Sequence, residues 1–280
     1  MHPLFADLQL LLVALIWGLT FPVVKDALQG ISPFTFLTIR FAIAGIFLAI
    51  FYYKKLSKLN KKNLLAGLFI GIALLSGYGF QTVGMQYTTA SNAAFITGLS
   101  VVIVPFLNIP FNHKLPNKFT LLGAVSAALG LALLSLNETL SINYGDLLIL
   151  VCAVSFAAHI VLVSKYAPSL DTELLTIVQL GAVAIFSGIM ASAVETIPTG
   201  LTKEVGFALA LCAIPATSWA FWIQNRVQKF TSPTRTAIIF SMEPVFGAIF
   251  AYLWLGEIIT TKGLVGCGFV LAGMLMAELN

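Results

Sequence analysis

Ten apolar stretches, each close to the ~20 residues needed to cross a hydrocarbon core, fill almost the whole sequence. Their spans are roughly Pro3–Val24, Pro33–Tyr53, Asn63–Gly84, Ala90–Phe111, Asn117–Leu136, Asn143–Tyr166, Thr172–Val194, Lys203–Val227, Thr231–Leu255 and Thr260–Leu279. Hydrophobic residues make up 59% of the chain and charged residues 9%, with a mean hydropathy of +0.98. A soluble domain has too little interior to hide that much apolar surface. In lipid every backbone polar group must be satisfied within its own segment, so the stretches predict helices and an all-α integral membrane protein. The loops leave no room for a soluble domain, and residues 1–280 read as a single transmembrane domain. The first stretch is already long enough to span, so it does not read as a cleavable signal peptide. Cys152, Cys212 and Cys267 fall inside apolar stretches and read as packing residues, not as disulfides or metal ligands.

Positive charge predicts the orientation. With the N-terminus in the cytoplasm, the cytoplasmic loops hold Lys54, Lys55, Lys58, Lys61, Lys62, Lys114, Lys118, Lys165, Arg226, Lys229 and Arg235. The outer loops hold only Lys25, Lys203 and Lys262, and Arg40 lies within a stretch. The positive-inside rule then places both termini in the cytoplasm of a multi-pass cell-membrane protein. The basic run Lys54–Lys62, confined to a short loop, is a topology signal and not a nucleic-acid site.

The two halves align with each other. At a shift of 139 residues Asp7 falls on Asp146, Ala14 on Ala153, Trp17 on Phe156 and Arg40 on Gln179. At a shift of 143, Tyr78 falls on Phe221, Gln81 on Gln224, Tyr87 on Phe230, Ala94 on Ala237, Gly123 on Gly266 and Gly130 on Gly273. The expected repeats cover about 3–138 and 139–280. Each holds five spans, an odd number, so the second enters the membrane from the opposite side. Ten helices in two inverted five-helix repeats are a transporter arrangement.

Three segments carry a family resemblance: ALIWGLTFP over Ala14–Pro22, TASNAAFIT over Thr89–Thr97, and SMEPVFGAIFAYLWLGE over Ser241–Glu257. They resemble the drug/metabolite transporter superfamily of the EamA type, and the resemblance covers essentially the whole chain. It implies a polytopic secondary transporter, commonly an exporter of amino acids or related small metabolites. One departure is that His113-Lys114 stands at the first-half counterpart of Gly256-Glu257.

Ionisable groups inside a span cost roughly 2.5–3.5 kcal/mol each on insertion scales, so they serve function or internal pairing. Glu243 is expected near mid-membrane, with Pro244 kinking its helix. A carboxylate there can bind a proton or a substrate ammonium, but Glu-Pro belongs to the scaffold of the resembled family across many substrates, so a structural or gating role ranks ahead of direct substrate contact. Arg40 is expected to pair with helix carbonyls, an acid or a substrate carboxylate. His159 is a packing residue or a proton-coupling group. Lys25 is expected to snorkel to the surface.

Gln81 and Gln224 are the most informative neutral pair, with Trp17, Tyr78, Tyr87, Asn92, Phe95, Thr97, Ser100, Trp219, Phe221 and Trp222 as further candidates for a cavity. Amide, hydroxyl and aromatic groups suit a small amphipathic solute. The first, third, fourth, sixth, eighth and ninth spans are expected to surround it, with the fifth and tenth peripheral. Gly67/Gly71 and the Gly123/Gly130 and Gly266/Gly273 pairs read as packing or homodimer contacts. Neither a metalloprotease motif, a nucleophile elbow nor a phosphate loop occurs in the sequence, so an enzyme is not expected. No cofactor or metal is expected either. The expected partners are a small-molecule substrate, the lipid bilayer, and a proton or counter-substrate, with no nucleic acid. The alternative reading is a membrane scaffold, a receptor or a channel.

Overall fold

The computed structural model describes residues 3–112, 115–135, 143–196, 200–228, 236 and 239–277, and every regular element among them is helical. The elements are α1 (Pro3–Ala27), α2 (Pro33–Phe51), the short α3 (Tyr53–Leu56), α4 (Lys61–Gly84), α5 (Ala90–Gly98), α6 (Ser100–Leu107), the short α7 (Ile109–Asn112), α8 (Lys118–Ser135), α9 (Tyr144–Tyr166), α10 (Thr172–Val194), α11 (Lys203–Ala213), a π-helix (Ile214–Trp219), α12 (Ala220–Gln228), α13 (Glu243–Leu255) and α14 (Thr261–Ala277). Seven helical stretches among the described residues are long and apolar enough to cross a membrane, and three shorter apolar helices accompany them. Phe230, Ala237, His113 and Lys114, used above to compare the halves, lie outside the described residues.

Each long helix is apolar on both faces. One face packs inward, as Leu10, Leu37, Phe41, Ile70 and Leu74 do at 0% exposure. The other leaves Ile46, Ile50, Phe69, Val125, Ile185 and Leu253 more than half exposed. An apolar surface of this extent suits lipid, not water.

Three spans are not the continuous helices expected. The Leu99 N–H bonds to the Ile96 carbonyl three residues back, and the Met242 N–H to that of Ile239, also three back. These tightened turns separate α5 from α6 and precede α13, at positions 143 residues apart. Such turns within a span mark local strain or a hinge. Pro244 therefore does not kink a helix in its middle. It stands in the first turn of α13, where a missing N–H costs least. In the eighth span Pro215 lies in the π-helix. The Thr217 hydroxyl donates to the Cys212 carbonyl at 2.7 Å, and the Ser218 hydroxyl lies 3.0 Å from that of Ala213. Both bonds reach back five residues and stabilise the wider turn.

The helices pack as α2 with α10, α4 with α9 and α10, α1 with α13, α13 with α5, and α8 with α14. Glycines set the closest approaches. A Cβ at Gly130 would stand 2.6 Å from the Gly266 carbonyl, and one at Gly273 would stand 2.6 Å from the Gly123 carbonyl. Gly67 and Gly71 lie against Val178 and Ala182 of α10. These small residues thus serve contacts within the chain.

Carboxylates clasp both ends of the bundle. At the lysine-poor end Glu195 accepts from the Phe34 and Thr35 amides at 2.7 Å, capping α2. Glu257 accepts from the Ala90 and Ser91 amides at 2.9 and 3.0 Å, capping α5. Each satisfies orphan N–H groups at a positive helix end. Lys25 does not snorkel outward: its ammonium donates to the carbonyls of Met85 and Thr88 at 3.0 and 2.5 Å.

At the lysine-rich end Lys55 pairs with Asp171 at 2.9 Å and Glu173 at 3.0 Å. Burial pushes the Asp171 carboxyl up, but bonds from Lys55 and the α10 backbone outweigh it and hold the group below its usual 3.8. Burial pulls Lys55 down, and its two carboxylate partners more than reverse this. With the folded Asp171 value depressed, the clasp stabilises above the unfolded carboxylate range and is lost as pH falls through the folded value. Lys55→Met is expected to cost under about 1 kcal/mol at neutral pH, because the pair is partly exposed and screened. Thermal unfolding of both proteins from pH 7 downward should show that difference shrink as Asp171 takes up its proton.

Candidate substrate cavity

One cavity opens where α1, α4, the α5–α6 turn, α9, α12 and the start of α13 converge. It holds about 580 Å³ of free space, its mouth included. No residue of α2, α8, α10 or α14 lines it.

Its walls are aromatic and are built from the sequence upward. Trp17 is held by its indole N–H, which donates to the Ala216 carbonyl in the π-helix at 2.8 Å. The Trp17 ring packs on Phe221 at 5.3 Å and on Phe240 at 5.0 Å. Tyr78 meets Phe156 edge-on at 5.2 Å. Behind Tyr78 stands Arg40, 2% exposed, with its guanidinium 4.6 Å from the ring centroid. Arg40 donates to the Thr217 hydroxyl at 2.8 Å and to the Tyr78 hydroxyl at 3.3 Å. The acid or helix carbonyls expected as its partners are replaced by these hydroxyls and two rings.

The polar groups divide into satisfied and open ones. Thr20 donates to the Trp17 carbonyl at 2.7 Å. The Gln81 amide donates to the Thr97 hydroxyl at 3.2 Å. His159 is 2% exposed and joins Gln179 through Nε2 and Oε1 at 2.9 Å. Gln224 also lines the cavity, and its Oε1 is enclosed with no hydrogen-bond partner. Glu243 is half-buried on the wall. Its carboxyl forms no hydrogen bond or ion pair among the described residues, so no bond to a neighbouring helix braces it there.

The family model described as the EamA-like transporter family matches the sequence twice, over residues 4–136 and 143–279. The chain belongs to that family. A transporter of Archaeoglobus fulgidus, described as uncharacterized, is 38% identical over 277 residues, covering 99% of this chain and 87% of its own. The uncharacterized transporter YoaV of Bacillus subtilis is 24% identical and covers 96% and 95%. The uncharacterized inner membrane transporter YedA of Escherichia coli K12 is 29% identical over 77% and 66%. A crystal structure 18% identical in sequence superposes with a TM-score of 0.73 over 97% of this chain and 95% of its own, so the fold is shared. The protein is a multi-pass membrane transporter.

Of the residues singled out from sequence, Trp17, Tyr78, Gln81, Thr97, Ser100, His159, Phe221, Gln224 and Glu243 share the transporter's cavity wall. Others lie elsewhere. Tyr87 is 56% exposed at the lysine-poor end, edge-on to Tyr144. Asn92 reaches Asp146, which also accepts from the Thr88 hydroxyl. Phe95 is buried in the apolar core with Phe21 and Phe36. Trp219 and Trp222 line a separate groove with Phe47, Phe51 and Tyr52, and Arg226 sits 5.2 Å over the Trp222 ring. Pro244 packs near Gly98, where a Cβ would stand 3.0 Å from its Cγ.

The wall also contains Thr20, Phe21, Phe156, Ile160 and Phe240, which sequence reasoning passed over as site residues. The signal for them was present. The same two shifts pair Trp17 with Phe156, Thr20 with His159, Phe21 with Ile160, Tyr78 with Phe221, Gln81 with Gln224, Thr97 with Phe240, and Ser100 with Glu243. Only Gly98 and Val101 of the lining have no lining counterpart.

Proposed function

We propose that this EamA-like transporter moves a small organic solute, an amino acid or related metabolite, across the cytoplasmic membrane by alternating access, with export as its working direction. The observation that carries the reading is the cavity itself. Its lining is made of pairs related by the repeat shifts, and it sits at the two tightened turns, Leu99 and Met242. A site shared by two inverted halves can face either side of the membrane as the halves rock against each other.

In this reading the seven long and three shorter apolar helices are ten spans of one transmembrane domain, split into halves at about residue 138. Both termini face the cytoplasm, which makes the lysine-poor end the outer one. Glu257 on the α5 amides and Lys25 on the Met85 and Thr88 carbonyls then close the outer side in the state observed. Rocking the halves breaks the Glu257 bonds, which join one half to the other, and opens the outer path. A proton or counter-substrate gradient supplies the driving force. The half-buried, unpaired Glu243 and the buried Arg40 beside Tyr78 are the gating or coupling groups.

The test is counterflow by the purified protein in liposomes, using a panel of amino acids and small metabolites. Saturable exchange dependent on internal solute is expected. Flux that rises linearly without saturation would make the protein a channel, and no flux with any solute would leave a scaffold or receptor. Cysteines placed at Gln81 and Gln224 in a cysteine-free background should react with water-soluble thiol reagents, whereas one at the lipid-facing Leu129 should stay inert. A reporter fused after Asn280 should be active only on the cytoplasmic side.

A further inference from the structure

The cavity wall carries one acid among many rings, and that balance points to a charge class of substrate. Three of its donors are engaged internally, the Trp17 indole by Ala216, the Thr20 hydroxyl by Trp17 and the Gln81 amide by Thr97, while Ser100, Tyr78 and Gln224 add neutral polar groups to the wall. Its strongest acceptor stays open, since the Glu243 carboxyl is unpaired among the described residues. The Gln224 Oε1 is likewise without a partner.

Among the described residues no lysine or arginine lines the cavity to balance that acid. Two basic residues of the spans are committed elsewhere. Arg40 lies behind Tyr78, bonded to Thr217 and Tyr78, and Lys25 is tied to carbonyls at the lysine-poor end. The remaining wall is aromatic, with Trp17, Tyr78, Phe156, Phe221 and Phe240 around the space. Ring faces are negative, and cages of rings hold ammonium groups. A carboxylate solute entering here would meet an acid, ring faces and, among the described residues, no cation. Closing the site over a half-buried carboxylate is costly unless the charge is paired, so a solute that brings positive charge gains most.

We propose that the cavity selects solutes bearing an ammonium group, primary or quaternary, on a small apolar body, and disfavours those whose only charge is a carboxylate. An amine is then preferred to the α-amino acid of the same side chain, because the extra carboxylate meets an acid and no cation among the described lining residues. This rests on the transport reading above and narrows it: Glu243 pairs with the ammonium, and the rings cover both the charge and the apolar body.

The test is equilibrium binding to the detergent-purified full chain, read as thermal stabilisation. Four matched probes are phenethylamine, benzyltrimethylammonium, phenylalanine and phenylpropionate. The two cations should raise the unfolding temperature in a saturable way, phenylalanine less, and phenylpropionate not at all. Glu243→Gln should remove the cation shift, Glu243→Asp should keep part of it, and Phe240→Leu should weaken cation affinity about tenfold. The unliganded unfolding temperature of each variant checks its fold. A shift from phenylpropionate equal to that of the amines overturns the proposal. So does an undiminished cation shift in a folded Glu243→Gln protein, or no shift with either cation. Saturable counterflow of an anionic metabolite would sink this inference while leaving the transport reading intact.

Discussion

Gly273→Leu is expected to disrupt the α8–α14 pair, at a cost of roughly 3 kcal/mol or more. A Cβ there would stand 2.6 Å from the Gly123 carbonyl and 2.7 Å from the Ala127 nitrogen. Both are backbone atoms, so no rotamer change relieves the contact and the helices must separate. Gly130→Leu should behave alike, meeting the Gly266 carbonyl and the Val270 nitrogen. Gly268 lies on the same helix with nothing within 4 Å of its Cβ position, so Gly268→Leu serves as the control. Thermal unfolding in detergent should show a large loss for the first two and almost none for the third. Equal behaviour of Gly268→Leu and Gly273→Leu would overturn the packing of these two helices.

Glu243→Gln and Glu243→Ala are both expected to lower counterflow about 30-fold or more at subsaturating solute. Removing one partner of a buried charge pair costs about 2 kcal/mol or more. Thermal stability of the empty protein should change little, because the carboxyl has no hydrogen bond to lose among the described residues. The pattern separates three roles. A brace would make the alanine variant unstable and leave the glutamine variant active. A coupling group alone would spare exchange in the glutamine variant while abolishing gradient-driven accumulation. A binding group loses exchange as well, and this is the outcome favoured by a carboxyl unpaired among the described residues on an aromatic wall.

Much of this was legible in the chain before any coordinates. The membrane class follows from apolar stretches near the length of the hydrocarbon core, because lipid leaves helices as the way to satisfy their backbone. The transporter family was readable in three segments, and the aligned halves pointed to the wall. Every shift-related pair in the lining joins residues at matching depths of matching helices, so applying the shifts to each candidate would have found Phe156, Thr20 and Phe240. Candidates chosen by polarity and ring type alone, such as Trp219 and Trp222, had no such constraint, and they face the groove beside Phe47. Tyr87, although the shift pairs it with Phe230, stands exposed in the turn after α4.

The sequence by itself determined which residues live in lipid and which segments are paired, since both are set by local composition and by similarity along one chain. Only the tertiary structure decided who bonds to whom. Arg40 is an arginine in a span on either view, but its hydroxyl partners lie 177 and 38 residues away and depend on how α2 meets the π-helix and α4. Lys25 holds carbonyls 60 and 63 residues distant instead of reaching for the surface. Glu257 caps a helix that begins 167 residues before it. Hydrogen bonds are short and directional. A pattern of residue types states the demand for a partner, and only packing brings the partner within 3 Å.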